Sequence, residues 1–353
     1  QSSSAASDVY KRQELVVSSE TMRLTRGTFE FEPRGSHDLK GFENQREVYC
    51  ALKEIESTSR FDARTGQSAV ELVARRDHLS SLTQLWADVQ TGTGRMTLIG
   101  GAAGIGKSRL IKSLSETIKT RPLTLQCTPH LASLPLHPVV SELRRVSGDK
   151  SNDNVQAAIS AFVQSASRLN DSDLPALLEL AGIDSDASTE PDPLKKARKS
   201  MDVLLRSIGS ICDRRGTLLL VVEDVHWADA TTLDLLDALA ATLADLPVLM
   251  VLSHRPEYEP PEHFLDQAVN VDLSPLARPD ASELVRRVAE PYSLPVILIR
   301  QIIEKADGVP LYIEEMTKAV LDQLPADAPI NAEVLDALSV PSTLQDSLMS
   351  RLD

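Results

Sequence analysis

Two unbroken apolar runs, Leu218 to Val222 and Val248 to Leu252, stand out from an otherwise mixed text. Runs of this kind predict strands buried on both faces, because a half-exposed strand would alternate apolar with polar. A third strand is expected at Met96 to Ile99, and a fourth at Leu123 to Thr128. Elsewhere the period is helical. In ELVARRDHLSSLTQLW, Leu79, Leu82 and Trp86 recur at spacings of three and four, and a polar TGTG turn follows before the Met96 strand. PLKKARKSMDVLLRSIGSIC sets Leu194, Ala197, Met201, Leu204, Ile208 and Ile211 along one helical stripe, expected to be core. Near the amino end, TFEFEP alternates, which puts Phe29 and Phe31 on one face of a strand.

Composition narrows the functional classes. The chain has 353 residues, 42% apolar and 25% charged, an ordinary globular balance. Its formal charge of −14, without a long Lys/Arg block, argues against a surface built to neutralise duplex phosphates, so nucleic acid is a disfavoured partner. Cys50, Cys127 and Cys212 are widely spaced and form no CxxC pair, which suggests neither a disulfide framework nor a zinc site and fits a reducing cytoplasm. Apolar runs of five residues fall far short of the ~20 that a membrane span needs. The first thirteen residues are polar and aperiodic and read as a sequencing artefact or a disordered end.

The chemistry starts where the Met96 strand ends. Gly101, Ala102, Ala103, Gly104, Ile105, Gly106, Lys107 and Ser108 satisfy GxxxxGKS between a strand and a helix. Glycines let backbone N–H groups close around an anionic oxygen, and the helix amino end adds a favourable dipole. Lys107 is expected against the β- and γ-phosphates of ATP, and the Ser108 hydroxyl on Mg²⁺. Arg109 adjoins the loop and is grouped with it, although a solvated helix position is the plainer reading. Phosphate binding alone does not hydrolyse ATP; an acid is needed to orient water. The Leu218 strand ends in Glu223 and Asp224, where α/β sheets bind ligands. Glu223 is assigned to the Mg²⁺ side and Asp224 to the water, with the two roles exchangeable.

The segment EDVHWADATTLDLL resembles the acidic-strand region of STAND-type signalling ATPases, a branch close to the origin-recognition-like AAA proteins. That resemblance implies signature positions for His226 and Trp227, without a catalytic role for the histidine. It also makes Leu72, Val73 and Arg75 the counterpart of an LVGRE segment beside the nucleotide base, with Ala74 in place of its Gly and Arg76 in place of its acid. LMVLSHRPE resembles the sensor strand, so Arg255 is expected to sense the γ-phosphate. LSPLARPDASELVRRV resembles the start of a small helical lid, and DGVPLYIEEMTKAV its GxP segment, which brings Pro310 near the adenine; Glu314 and Glu315 read as a solvated face. VPSTLQDSLMSRLD resembles the opening of a winged helix.

Ahead of the linker, SSETMRLTRGTFEFEPRGSHDLKGFENQREVYCAL resembles the carboxyl end of class III adenylate and guanylate cyclase domains. The match rests on the LKG turn at Leu39, Lys40 and Gly41 and a final strand ending in Val48 and Tyr49. The family's metal carboxylates and its transition-state Asn and Arg would lie upstream and are absent here.

The fold expected is α/β: a P-loop NTPase with a parallel β-sheet flanked by helices and a small helical lid, preceded by a short α+β cyclase remnant. The boundaries are 1–13 for the artefact, 14–52 for the cyclase piece, 53–70 for a linker, 71–275 for the ATPase core, 276–340 for the lid and 341–353 for the start of the winged helix. Expected partners are ATP and ADP with Mg²⁺, an upstream cyclase domain and a second copy of the chain.

Overall fold

The computed structural model describes residues 15–25, 29–38, 45–54, 71–147, 151–183 and 192–323. Contacts divide the chain into two compact units, Gln1–Ala69 and Val70–Asp353. The expected artefact at 1–13, the Leu39–Gly41 turn, most of the linker, the tail of the lid and the winged-helix start fall outside the described residues.

In the first unit, β1 (Leu15–Ser18), α1 (Ser19–Leu24), β2 (Phe29–His37) and β3 (Arg46–Glu54) form an antiparallel sheet in the order β1-β3-β2. The Ser18 hydroxyl caps α1 by accepting the Thr21 N–H. Phe29 and Phe31 share a face, their rings edge to face at 6.3 Å. β3 runs past Val48 and Tyr49 as far as Glu54, because Lys53 and Glu54 continue the ladder opposite Glu30 and Phe29. Backbone pairing is indifferent to the polar side chains that suggested a linker there.

The second unit opens with α2 (Arg76–Val89), then β4 (Arg95–Gly100), α3 (Lys107–Ile118) and β5 (Leu123–Gln126). A helical insertion follows: α4 (His137–Val146), α5 (Asn152–Ser165), α6 (Leu174–Leu180) and α7 (Pro193–Arg215). Next come β6 (Leu218–Glu223), α8 (Ala230–Thr242), β7 (Val248–His254), α9 (Glu262–Gln267) and β8 (Ala268–Asp272). Three helices end the described chain: α10 (Arg278–Ala289), α11 (Val296–Ala306) and α12 (Pro310–Leu321).

All five strands are parallel, in the order β5-β6-β7-β4-β8. The unbroken apolar runs split by parity. Leu218, Leu220 and Val222 enter a core shared with the insertion, while Leu219 and Val221 enter another with Leu82 and Trp86 of α2 and Leu110 and Leu114 of α3. Helices on both faces are what force those strands to be apolar throughout. The last three helices have a separate core around Val285, Ile302 and Ile313. On α7 the expected stripe reaches the core at Met201, Leu204, Ile208 and Ile211, but Ala197 is exposed and the buried face also takes in Val203, Ser207 and Cys212. Ser207 can sit there because its hydroxyl donates back to the Val203 carbonyl at 2.7 Å.

Candidate functional site

Along the carboxyl edge of the sheet, the register pairs Gly100 of β4 with His254 of β7 and Val222 of β6 with Leu252 of β7. One residue further on, Glu223 and Ser253 stand abreast. Open α/β sheets bind their ligands outside such strand ends.

Loop 101–106 joins β4 to α3. Gly106 has φ 104° immediately before Lys107, a region closed to most side chains. At Gly104, φ 74°, an added Cβ would lie 3.0 Å from Leu311 Cβ. The Gly104 carbonyl also accepts the Leu311 N–H at 3.2 Å, so the first turn of α12, next to Pro310, rests on the loop. Ile105 is buried and anchors the loop from below, whereas Ala102 is exposed and Gly101, Ala103 and Ser108 are half-buried.

Lys107 is only 8% exposed. Its Nζ donates to the carbonyls of Gly101 at 2.6 Å and Ala102 at 3.0 Å. Burial pushes the ammonium pKa down, and the Asp224 carboxylate is the strongest opposing influence, with Arg255 acting in the same sense as burial. Glu223 is buried, 5% exposed, and its carbonyl accepts the Cys127 N–H at 3.0 Å. Asp224 adopts a left-handed conformation, φ 56° and ψ 47°. That turn is held by the Asp224 N–H donating to Ser253 Oγ at 3.0 Å and by the Trp227 N–H donating to the Asp224 carbonyl at 2.8 Å. Arg255 follows β7 and is half-buried; its charge reaches both Lys107 and His226. Lys107, Glu223, Asp224 and Arg255 thus share one electrostatic neighbourhood.

Other residues singled out in the sequence lie elsewhere. Val73 rests against the core of the last three helices. Ala74 and Arg75 both have positive φ, 58° and 64°. The Arg75 guanidinium donates to the Ser274 carbonyl; its burial lowers the pKa, with Asp280 opposing. Arg109 is half-buried, not solvated: burial lowers its pKa and Glu314 of α12 is the main charge working against that. Glu314 is corrected in the same way. Burial raises its carboxyl pKa, with Lys318 and Arg109 as counterweights, while Glu315 accepts from Lys318 Nζ at 3.0 Å.

Asp229 carries a role that the sequence reading missed. It is buried, and its Oδ1 accepts both the Thr232 N–H at 2.9 Å, capping α8, and the Leu136 N–H at 3.1 Å ahead of α4. An Asp three residues before a Thr at a helix start was the available signal. All three cysteines are buried and free. Burial pushes the Cys127 thiol up to about 12, which leaves it unreactive at neutral pH.

The two residues expected to hold a divalent cation, Ser108 and Glu223, both offer oxygen donors, on the α3 side and at the end of β6. Hard Mg²⁺ takes one or two protein oxygens alongside substrate phosphates and water, so this donor set fits it. Among the described residues no cluster of three or more His, Cys, Asp or Glu offers an alternative metal centre.

A profile of the AAA ATPase domain matches residues 71–251, just over half of the chain. The chain belongs to this AAA ATPase family. An uncharacterised protein of Rhizobium meliloti (strain 1021) is 32% identical over 351 residues, a match covering 96% of this chain and 33% of the relative. The chain therefore spans about a third of the length of that curated relative. Solved structures similar to the AAA chain include the Walker-type ATPase of Pyrococcus abyssi, at 16% identity over 71% of this chain and 68% of that one, TM-score 0.46. They also include a RuvB variant of Thermotoga maritima, at 12% identity over 79% and 70%, TM-score 0.43. The STAND protein with a tetratricopeptide repeat sensor from Pyrococcus horikoshii matches at 13% identity over 75% and 32%, TM-score 0.41. No helix among the described residues of the AAA chain is long and apolar enough to cross a membrane.

Proposed function

We propose that the second unit binds ATP with Mg²⁺ and hydrolyses it slowly, as the switch of a longer regulatory protein in which residues 14–52 end a nucleotide cyclase domain. The observation that carries this reading is the buried Lys107 ammonium, held by loop carbonyls and facing two strand-end carboxylates. In the ATP complex Lys107 exchanges its bonds to Gly101 and Ala102 for β- and γ-phosphate oxygens. The N–H groups of 101–106 close around the same oxygens. Ser108 and Glu223 hold Mg²⁺, which when bound neutralises phosphate charge. Asp224 orients the attacking water, Arg255 senses the γ-phosphate, and Val73, Arg75 and Pro310 border the base.

The bond between Gly104 and Leu311 supports the coupling of nucleotide state to the lid, because any shift of the loop is felt at the start of α12. A homo-oligomer supplying an arginine from a neighbouring copy belongs to the same proposal. Duplex nucleic acid does not, given the charge of −14.

Calorimetry with and without Mg²⁺ tests the binding. Parent protein should bind ATP in a magnesium-dependent way, and Lys107→Ala should weaken binding by about 100-fold, the loss of two charged hydrogen bonds. Asp224→Asn should keep ATP affinity and lower phosphate release by about 100-fold or more. A well-folded parent with no affinity for ATP overturns the proposal; affinity without phosphate release reduces it to a switch that does not turn over.

A further inference from the structure

Among the described residues, the buried side-chain polar atoms without a hydrogen-bond partner are His78 Nδ1, Gln126 Oε1, Thr128 Oγ1 and both ring nitrogens of His226. His226 is the residue that leaves two such atoms, and it sits in the turn directly after Glu223 and Asp224. Resting on the nucleotide reading above, we infer that His226 contacts the terminal phosphate, donating a ring N–H to a γ-phosphate oxygen of ATP that ADP lacks.

Four observations lead there. The turn is hydrogen-bonded: the Trp227 and Ala228 N–H groups donate to the Asp224 and Val225 carbonyls at 2.8 and 2.9 Å, and the Asp224 N–H to Ser253 Oγ. The ring is braced against Trp227, centroids 5.1 Å apart. The charges that act on the imidazole are those of Asp224, Arg255, Lys107 and Glu257. Lys107 opens α3 after the glycine loop and Arg255 follows β7, so the ring lies among the charges of the proposed phosphate end. Burial lowers the imidazole pKa and keeps one nitrogen protonated and the other not, so a donor is present without a second positive charge.

Packing alone does not account for the residue. An apolar ring of the same size would fill the space beside Trp227 and leave no polar atom stranded, whereas a buried polar group without a partner is destabilising. A phosphate oxygen supplies the missing acceptor, and the bond forms in a site shielded from water, where it is stronger.

The test is equilibrium binding of β,γ-imido-ATP and of ADP, each with Mg²⁺, to the parent, His226→Ala and His226→Gln. Thermal melting checks that each variant is folded. His226→Ala should lose about tenfold or more in affinity for the triphosphate analogue while ADP affinity stays within about twofold. His226→Gln, whose amide N–H can reach the same oxygen, should recover most of the loss. A purely structural role would move both nucleotides together and leave their ratio unchanged, and that outcome overturns the assignment, as does His226→Ala matching the parent on both. If His226→Ala does not fold, the ratio in His226→Gln decides: a preference for the triphosphate within about threefold of the parent supports the contact, and one that vanishes overturns it. A parent that binds neither nucleotide refutes the nucleotide reading itself.

Discussion

The Ser253 hydroxyl is buried in a strand whose preceding residues, Val248 to Leu252, are all apolar, and it accepts the Asp224 N–H at 3.0 Å. That oxygen is one of the two tethers of the left-handed turn that carries Asp224 and His226. Ser253→Ala strands that N–H, at a cost of about 1–3 kcal/mol in chemical denaturation. Phosphate release should slow by about tenfold, with ATP affinity near that of the parent; unchanged turnover would mean the turn holds without the serine. At this scale the strand-to-helix turn from Gly101 to Ser108 was legible, because closely spaced glycines between an apolar run and a helical period mark backbone conformations closed to other residues. Arg109 facing Glu314 was not. That charge influence joins positions some two hundred residues apart, and neither side chain signals the other locally.

Parity explains most of what was readable among the elements. β6 and β7 are apolar from Leu218 to Val222 and from Val248 to Leu252 because each feeds two cores, and α2 shows its buried stripe at Leu82, Leu85, Trp86 and Val89. β8 and α9 escaped notice. β8 is a sheet edge with Val269 41% exposed, so neither an unbroken run nor a clean alternation marks it. On α7 the expected stripe holds at Met201, Leu204, Ile208 and Ile211, and what it omitted has a related cause: buried serines satisfied by their own helix carbonyls look polar on paper. The start of α2 carries a strain that the sequence comparison had hinted at. Ala74 occupies φ 58° where the resembling segment has Gly. Ala74→Gly should raise stability by about 1 kcal/mol, the steric cost of a left-handed Ala less the entropy of the extra glycine. A melting temperature higher by about 2–4 °C is the expected readout; a lower one would assign more weight to the contact of Ala74 with the lid core.

The second unit as a whole combines a sheet, an insertion and three last helices with their own core, and the insertion has its own ionic tie. Asp173, with a side chain 3% exposed, accepts from both terminal nitrogens of Arg206 at 2.7 and 2.8 Å. Those bonds, chiefly, hold its pKa below the usual carboxylate value. A carboxyl depressed in the folded state stabilises fully above its unfolded pKa of about 4, and that contribution is lost as pH falls through the folded value. Melting curves should therefore separate parent from Asp173→Asn most above about pH 5, and the gap should close as the pH drops below about 4. A gap independent of pH would show that shape, not charge, matters at that position.

The sequence alone determined the strand cores, the glycine loop between β4 and α3 and the acidic strand end, since each rests on neighbours close along the chain and on periods of two or 3.6 residues. Only the tertiary structure decided that β7 stands between the β4 and β6 strand ends, that Leu311 closes on Gly104, that Asp229 joins α8 to the approach of α4, and that His226 keeps two nitrogens without partners. The reason is physical: a hydrogen bond or a charge contact depends on distance in space, and the strand order that creates those distances is set by how the two faces of the sheet are covered, which no short stretch of sequence records.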